Sequence, residues 1–265
     1  MHDSANPRPH RDSPARTTAP SLLAGIRQAA TALGASIGLP RSKRRMRENH
    51  QRMAESIPAH SKWWRESVHD PAAPLHYVAL GDSAAQGLGA RHPSLSYVGQ
   101  LAETIAVAID APVRVTNLSV SGATTELCIR DQLPRLRDLA PDVLTVAIGA
   151  NDIARWEPAA FARNIRQIFD ALPDHAIVAE LPCFHLPRAE RRVAEANRML
   201  RAAAAARRFT LVPLHAATKG VGVRGILTQF ANDMFHPNEH GYRVWAAAFA
   251  PAVVARARAV VASRG

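Results

Sequence analysis

The chain has 265 residues, of which 47% are hydrophobic and 21% are charged, and its formal net charge is +11. This length and balance favour one globular domain with an extension, or two small domains, and exclude a chain that is disordered throughout. Aromatic residues make up only 5%, which predicts an aliphatic core and no aromatic surface for stacking nucleic-acid bases.

The N-terminal region is expected to contain a tail and a short helix. Residues 1–20 are rich in Pro, Ser, Arg and His and predict a disordered tail. Residues 21–39 are mildly apolar, but Arg27 and Gln28 interrupt the run, so an amphipathic helix is favoured over a membrane span or a signal peptide. We therefore expect a cytoplasmic protein, with weak peripheral contact of residues 21–47 with an anionic membrane surface.

The positive charge is concentrated before the main domain. Residues 1–70 hold 12 Lys and Arg against 6 Asp and Glu, and the densest run spans residues 41–47. A solvated basic face is the simplest interpretation, and attraction to anionic lipid, nucleic acid or an acidic partner is the alternative. We expect no specific nucleic-acid partner, and a monomer.

A second helix is predicted over residues 48–68. It includes Trp63 and Trp64, which we expect to pack against the main domain. Together these patterns divide the chain after its tail into a basic helical N-terminal extension, residues 21–70, and a main domain, residues 71–265.

From about residue 75, short aliphatic runs alternate with helical patterns. The runs are bounded by Gly, Pro, Asn or Asp and are predicted as buried strands: Leu75–Leu80, Val113–Val120, Val143–Ile148, Ala176–Leu181 and Thr210–Leu214. Apolar residues at helical spacing predict helices that contain residues 95–109 and 161–172, and a last helix from near Asn238 that Pro251 should kink or restart. This alternation predicts an α/β fold, a three-layer α/β/α sandwich with about five parallel strands.

Polar blocks follow four of these strands. Ser83 lies three residues past the first strand, Gly122 just past the second, Asn151 three residues past the third, and His236 in the loop after the fifth. Because ligands in such folds bind beyond the carboxyl ends of the strands, we expect these four residues to converge on one edge of the sheet.

The chemistry of two blocks is that of a nucleophile and its base. A serine hydroxyl needs a base to take its proton, and the imidazole of His236 can accept the proton from Ser83 and return it to a leaving group. Asp233, three residues before His236, can hold the other ring nitrogen. The alternatives are a helix-capping serine and a surface histidine. His236 and His240 have the i, i+4 spacing of zinc ligands, but no His-Glu-x-x-His pattern accompanies them, so we expect no metal.

The other two blocks offer hydrogen-bond donors. The backbone N–H of Gly122 and the side-chain amide of Asn151 can join the N–H of Ser83 in binding an oxyanion. The alternatives are a turn glycine and a turn before a helix, and Asp152 is expected to be structural. The glycines around Ser83 do not fit a dinucleotide-binding pattern, and no phosphate-binding Lys-Ser or Lys-Thr follows them, so we expect no cofactor.

The walls of the substrate pocket are harder to predict. Trp156 follows Asn151 and either forms a wall of the pocket or packs in the core. Further walls are expected from four loops: residues 84–96, 153–158, 183–190 and 216–232. Cys128 and Cys183 have no metal-binding spacing and are expected to be free thiols, with a single bridge between them left open.

Taken together, the four blocks resemble those of the SGNH hydrolases, also called the GDSL esterase/lipase family, over about residues 75–262. The blocks occur in the family's order, although Ala84 replaces the usual Leu of Gly-Asp-Ser-Leu. The resemblance implies a flavodoxin-like SGNH hydrolase domain at residues 71–265 and metal-free hydrolysis through an acyl-serine.

The resemblance also implies roles for the site residues. Ser83 would be the nucleophile, His236 the base and Asp233 its orienting acid, with an oxyanion hole from Ser83, Gly122 and Asn151. We therefore expect a serine esterase that cleaves carboxylic esters of small or medium acyl groups. The alternatives are an acyltransferase that uses the same acyl-serine, and a peripheral membrane or nucleic-acid binding protein that acts through its basic N-terminal segment.

Overall fold

The computed structural model describes residues 40–67, 72–220, 228–231 and 235–264. At its centre, five strands form an all-parallel sheet in the order β2-β1-β3-β4-β5. The strands are β1 (Leu75–Gly81), β2 (Val113–Asn117), β3 (Val143–Ala147), β4 (Ile177–Ala179) and β5 (Thr210–Val212). The predicted tail and the predicted amphipathic helix, residues 1–39, lie outside the described residues.

Helices cover both faces of the sheet. The α-helices are α1 (Pro40–Glu66), α2 (Ser83–Gln86), α3 (Tyr97–Ile109), α4 (Thr125–Leu127), α5 (Leu133–Arg137), α6 (Pro158–Asp170), α7 (Pro187–Arg207), α8 (Leu214–Lys219) and α9 (Glu239–Ala262). Shorter turns of 3₁₀-helix span Pro93–Leu95 and Ala150–Arg155, and a π-helical turn spans Cys128–Gln132.

The central strand β1 shows why both faces must be covered. All of its residues are buried, and successive side chains of a strand point to opposite faces. Leu75, Tyr77 and Ala79 belong to an apolar cluster with α1, α3 and α9, whereas Val78 and Leu80 belong to a second cluster with α5, α6 and α7. The predicted three-layer α/β/α sandwich with five parallel strands is therefore confirmed.

The strand order also locates a crevice. β1 pairs with both β2 and β3, with Gly81 opposite Ala147 at the carboxyl end. The order 2-1-3-4-5 is that of flavodoxin-like folds. In these folds ligands bind at the topological switch point, where successive strands begin to be added on the opposite side of β1, between β1 and β3. The loops that carry Ser83 and Asn151 leave the sheet at this point.

Several element boundaries differ from the sequence-based expectation. Strands β2 to β5 end one to three residues earlier than predicted, whereas β1 ends one residue later, at Gly81. Helix α7 was not predicted, and α1 begins at Pro40, so that the basic run lies within it. Helix α9 does not restart at Pro251. Proline cannot donate to the carbonyl of residue 247, but Pro251 and Ala247 are both exposed, so water can satisfy that carbonyl.

Helix α9 is the one described helix that is long and apolar enough, by length and composition, to cross a membrane. One side of it belongs to the core cluster that contains α3, with Tyr242, Trp245 and Phe249 buried as predicted. Burial against the sheet accounts for its apolar character.

Helix α1 packs against the main domain through its C-terminal half. Trp64 is 8% exposed and belongs to the same apolar cluster as α3 and α9. The ring of Trp63 meets Trp64 edge-on at 4.7 Å and His92 at 5.0 Å. The prediction that these tryptophans pack against the main domain is confirmed.

Candidate active site

Ser83 stands at the start of α2, immediately after β1. Asp82 caps this helix, because its Oδ1 accepts a hydrogen bond from the N–H of Ala84 at 2.9 Å. The Oγ of Ser83 lies 2.8 Å from Nε2 of His236. Both residues are buried, with exposed fractions of 3% and 1%, so the hydroxyl and the imidazole form one hydrogen bond shielded from bulk water.

A short ladder between two loop segments places His236. The N–H of Ala231 donates to the carbonyl of His236, and the N–H of Asn238 donates to Gln229, both at 2.8 Å. Gly89, at φ +98°, packs under this ladder, where an added Cβ would stand 2.3 Å from the carbonyl oxygen of Pro237. The turn after α2 therefore approaches the histidine more closely than any side chain allows.

The third member of the predicted triad, Asp233, lies outside the described residues. Its role therefore stays a prediction.

The residues predicted to bind an oxyanion lie around Ser83. Asn151 donates from Nδ2 to the carbonyl of Ala123 at 3.0 Å and to Oδ2 of Asp82 at 3.3 Å. Ala123 directly follows Gly122, whose φ of +77° is the left-handed region that favours glycine. One amide thus connects the loop that contains Gly122 to the residue that precedes Ser83.

Asp152, next to Asn151, has the structural role expected of it. Its carboxylate accepts from the N–H of Thr125 at 3.0 Å and from the hydroxyl of Thr125 at 2.6 Å. These bonds cap the start of α4 and hold it against the turn after β3.

Asp82 is a buried carboxyl at the centre of the site. Burial raises its pKa from 3.8 to about 6, although the hydrogen bond from Ala84 and the nearby His236 oppose the rise. A pKa that is higher in the folded state means that ionisation of Asp82 weakens the fold. Its contribution to stability is greatest below pH 3.8 and is lost as the pH rises through 6.

We expect Asp82→Asn to gain stability relative to wild type as the pH rises, because asparagine cannot ionise. Between pH 4 and pH 7 the difference in free energy of unfolding should change by up to about 3 kcal/mol in favour of the variant. Urea unfolding at several pH values measures this change. Asp138→Asn, at an exposed position, is the control and should show little change, and equal pH dependence in both variants would contradict the expectation.

A cavity of about 70 Å³ opens beside Ser83 and His236. Most of its wall comes from loops and helix ends around the carboxyl edge of the sheet. The other lining residues are Asp82, Ala84, Ala150, Pro182, Cys183, Phe184, His185, Thr218, Gln229, Phe230, Phe235, Pro237, Gly241 and Trp245. The predicted wall loops 183–190 and 216–232 contribute, whereas 84–96 supplies only Ala84 and 153–158 supplies none of the described wall.

Trp156 is not among the side chains that the structure places in this wall. Its indole N–H donates to Oε2 of Glu195 at 2.9 Å, and its ring packs against Phe161 with centroids 5.1 Å apart. The structure thus places Trp156 at the edge of the core, and its tentative role in the substrate pocket stays a prediction.

One wall of the cavity is held by a polar network that the sequence did not reveal. Glu190 accepts from the N–H groups of Phe184 and His185 and contacts Nε2 of His215 at 2.9 Å. Cys183, Glu190 and His215 bring ligand atoms within 4.8 Å of one another, which is the one grouping of metal-ligand type among the described residues. No motif spacing relates these three positions, so only the fold brings them together.

Both cysteines are buried free thiols. Burial raises the pKa of the Cys128 thiol to about 12 and also raises that of Cys183. The expected free state is confirmed, and no bridge links the two sulfurs.

Comparison with known proteins gives a family match. Residues 79–244 match the model of the GDSL-like lipase/acylhydrolase family. No sequence among the curated proteins matches the chain.

Solved structures with the same fold cover the main domain. LAE5, an alpha/beta hydrolase enzyme from the metagenome of Lake Arreo, Spain, is 21% identical over 69% of this chain and 96% of its own, with a TM-score of 0.59. TesA is 24% identical over 68% and 99%, with a TM-score of 0.57. Axe2, an acetylxylan esterase from Geobacillus stearothermophilus, is 19% identical over 68% and 94%, with a TM-score of 0.54.

Proposed function

Because the chain belongs to the GDSL-like lipase/acylhydrolase family and is a hydrolase of ester bonds, we propose that Ser83 is its nucleophile and His236 its general base. The 2.8 Å contact between Ser83 Oγ and His236 Nε2 carries this proposal. It lies in a cavity at the switch point of the sheet, where a carbonyl carbon can reach the hydroxyl.

Acylation begins when Ser83 Oγ attacks the ester carbonyl and its proton passes to Nε2 of His236. The imidazolium then gives this proton to the leaving alcohol, and the C–O bond of the ester breaks. Asp233, three residues before His236, is proposed to hold the other ring nitrogen and to stabilise the imidazolium.

Deacylation repeats the same proton transfers with water. His236 takes a proton from water as the water oxygen attacks the acyl carbon. The proton returns to Ser83 Oγ as the acid leaves, so the enzyme ends in its starting state.

The negative oxygen of each tetrahedral intermediate is proposed to accept from the N–H groups of Ser83 and Gly122 and from Nδ2 of Asn151. In the free protein Asn151 also contacts Asp82 at 3.3 Å, which is longer than its bond to Ala123. We propose that the oxyanion replaces Asp82 as the partner of this N–H, while the bond to Ala123 keeps the amide in place.

The cavity supports a short acyl group. Its volume of about 70 Å³ is small and its wall contains Phe184, Phe235 and Trp245, which favours a short acyl group over a long chain. With p-nitrophenyl esters from acetyl to decanoyl, we expect kcat/KM to be highest between acetyl and butyryl and to fall at least about tenfold by octanoyl.

A wall variant makes this test specific. Phe184→Ala removes a half-buried side chain from the wall and should move the optimum to longer acyl groups. Trp156→Phe, outside the described wall, should leave the optimum unchanged. Hydrolysis of no ester at any length would contradict the proposed function, and a decanoyl optimum in wild type would contradict the size argument alone.

A further inference from the structure

We propose that helix α1, which precedes the family-matched residues 79–244, positions the oxyanion loop through Gln86. The oxyanion loop is residues 118–123, which include Gly122. The inference rests on the proposed function, because it concerns the oxyanion donor assigned there. It makes Gln86 and Trp64 positioning residues that act through Gly122 and do not touch substrate themselves.

Gln86 is the meeting point of three segments. Its side chain is buried, and Oε1 accepts from the hydroxyl of Ser61 on α1 at 3.1 Å and from the hydroxyl of Ser121 at 2.7 Å. Nε2 donates to the carbonyl of Ser119 at 2.8 Å. One amide thus ties helix α1, helix α2 and the oxyanion loop together.

Helix α1 also binds the main chain of Gln86. The indole N–H of Trp64 donates to the carbonyl of Gln86 at 3.1 Å, and the ring belongs to the same apolar cluster as Ala84 and Ala85. Both the backbone and the side chain of Gln86 are therefore held from α1.

The hydrogen bond from Ser121 to Gln86 holds the residue next to Gly122, whose N–H is the proposed oxyanion donor. The N–H of Gly122 belongs to the peptide that joins it to Ser121, so the position of Ser121 sets the direction of this donor. On its other side the loop is held to α2 by Asn117, which donates to the carbonyl of Ala85 at 2.9 Å and accepts from the N–H of Ser119 at 3.1 Å. The donor is thus fixed with respect to Ser83, one helical turn before Gln86.

The chemical consequence follows from geometry. Oxyanion donors act at 2.7–3.1 Å from the oxygen that becomes negative, and a displacement of about 1 Å can cost roughly 100-fold in rate. Loss of the tether should therefore lower kcat, while the affinity for a short ester, which is set by the acyl cavity, changes little.

The main test is Gln86→Met, which keeps the length and volume of the side chain but removes its hydrogen bonds. For an acetyl ester we expect kcat to fall about 10- to 100-fold, with KM within about threefold of wild type. Amide hydrogen exchange of residues 118–123 should become faster. Ser121→Ala is the second variant, for use if Gln86→Met folds poorly. It deletes one hydrogen bond to Gln86 without adding volume, and we expect a smaller fall in kcat and a smaller increase in exchange rate.

The contribution of α1 itself is tested by two neighbouring tryptophans. Trp64→Phe keeps an aromatic ring and deletes the bond to Gln86, and we expect a decrease in kcat of about 3- to 10-fold. Trp63→Phe is the matched control, because the indole N–H of Trp63 makes no hydrogen bond to the described residues, and its kcat should stay within about twofold of wild type.

The two readouts separate the possible failures. Hydrogen exchange needs no turnover, so faster exchange in Gln86→Met supports the tether even if the wild type hydrolyses no ester and the proposed function fails. Unchanged exchange of residues 118–123 in both Gln86→Met and Ser121→Ala would overturn the tether. Equal kcat values for Trp64→Phe and Trp63→Phe would show that α1 does not contribute to the tether.

Discussion

Replacement of Ser83 by alanine should lower kcat/KM for acetyl esters by at least about 10⁴-fold. The variant loses the atom that attacks the carbonyl, and His236 alone cannot form an acyl-enzyme. The side chain is small and buried beside a cavity, so the fold should persist, which thermal unfolding can verify. Steady-state hydrolysis of p-nitrophenyl acetate measures the loss.

His236→Ala and the double variant provide the control for this result. Groups that act as one unit give non-additive losses, so His236→Ala should be nearly as inactive as Ser83→Ala, and the double variant should be no worse than either. If the two losses multiply, Ser83 and His236 do not act together. If Ser83→Ala keeps wild-type activity, Ser83 is not the nucleophile.

The second large effect is expected from Asn151→Ala. Removal of one oxyanion donor typically lowers kcat by about 10²- to 10³-fold, and KM should change little because this donor acts on the transition state. Single-turnover kinetics with a p-nitrophenyl ester would show the loss in the acylation step.

Asn151 also donates hydrogen bonds to Ala123 and Asp82, so its loss could act through the structure alone. A variant of the neighbouring Asp152 distinguishes a catalytic from a structural role of Asn151. Asp152→Asn weakens the contacts to Thr125 in the same turn and should cost stability with less than about tenfold change in kcat. An Asn151→Ala variant that loses stability but keeps kcat would exclude Asn151 from the oxyanion hole.

The sequence predicted the meeting of Ser83 and His236 because that contact follows from strand ends. Aliphatic runs locate the strands, a parallel sheet brings their carboxyl ends to one edge, and the polar blocks there must lie close together. The same argument placed Asn151 beside the loop of Gly122.

Other parts of the site depend on packing between distant segments, which no local pattern records. Trp156 was left between two roles because its partner Glu195 lies on α7, an alanine-rich helix that the sequence-based prediction missed. The contact between Cys183, Glu190 and His215 requires the fold itself. The packing of Trp64 was predicted, but its hydrogen bond to the carbonyl of Gln86 was not, because the two residues lie 22 positions apart.

The cover that α1 gives to the main domain has a practical consequence for domain boundaries. A recombinant fragment that starts at residue 79, where the family match begins, would lack β1's first residues and the Trp64 ring. The apolar side chains that pack in the same cluster, among them Ala84, Ala85 and Tyr97, would then lose part of their cover, and newly exposed apolar surface promotes self-association. Soluble, monodisperse enzyme is therefore expected from fragments that retain all of β1 and the part of α1 that carries Trp64.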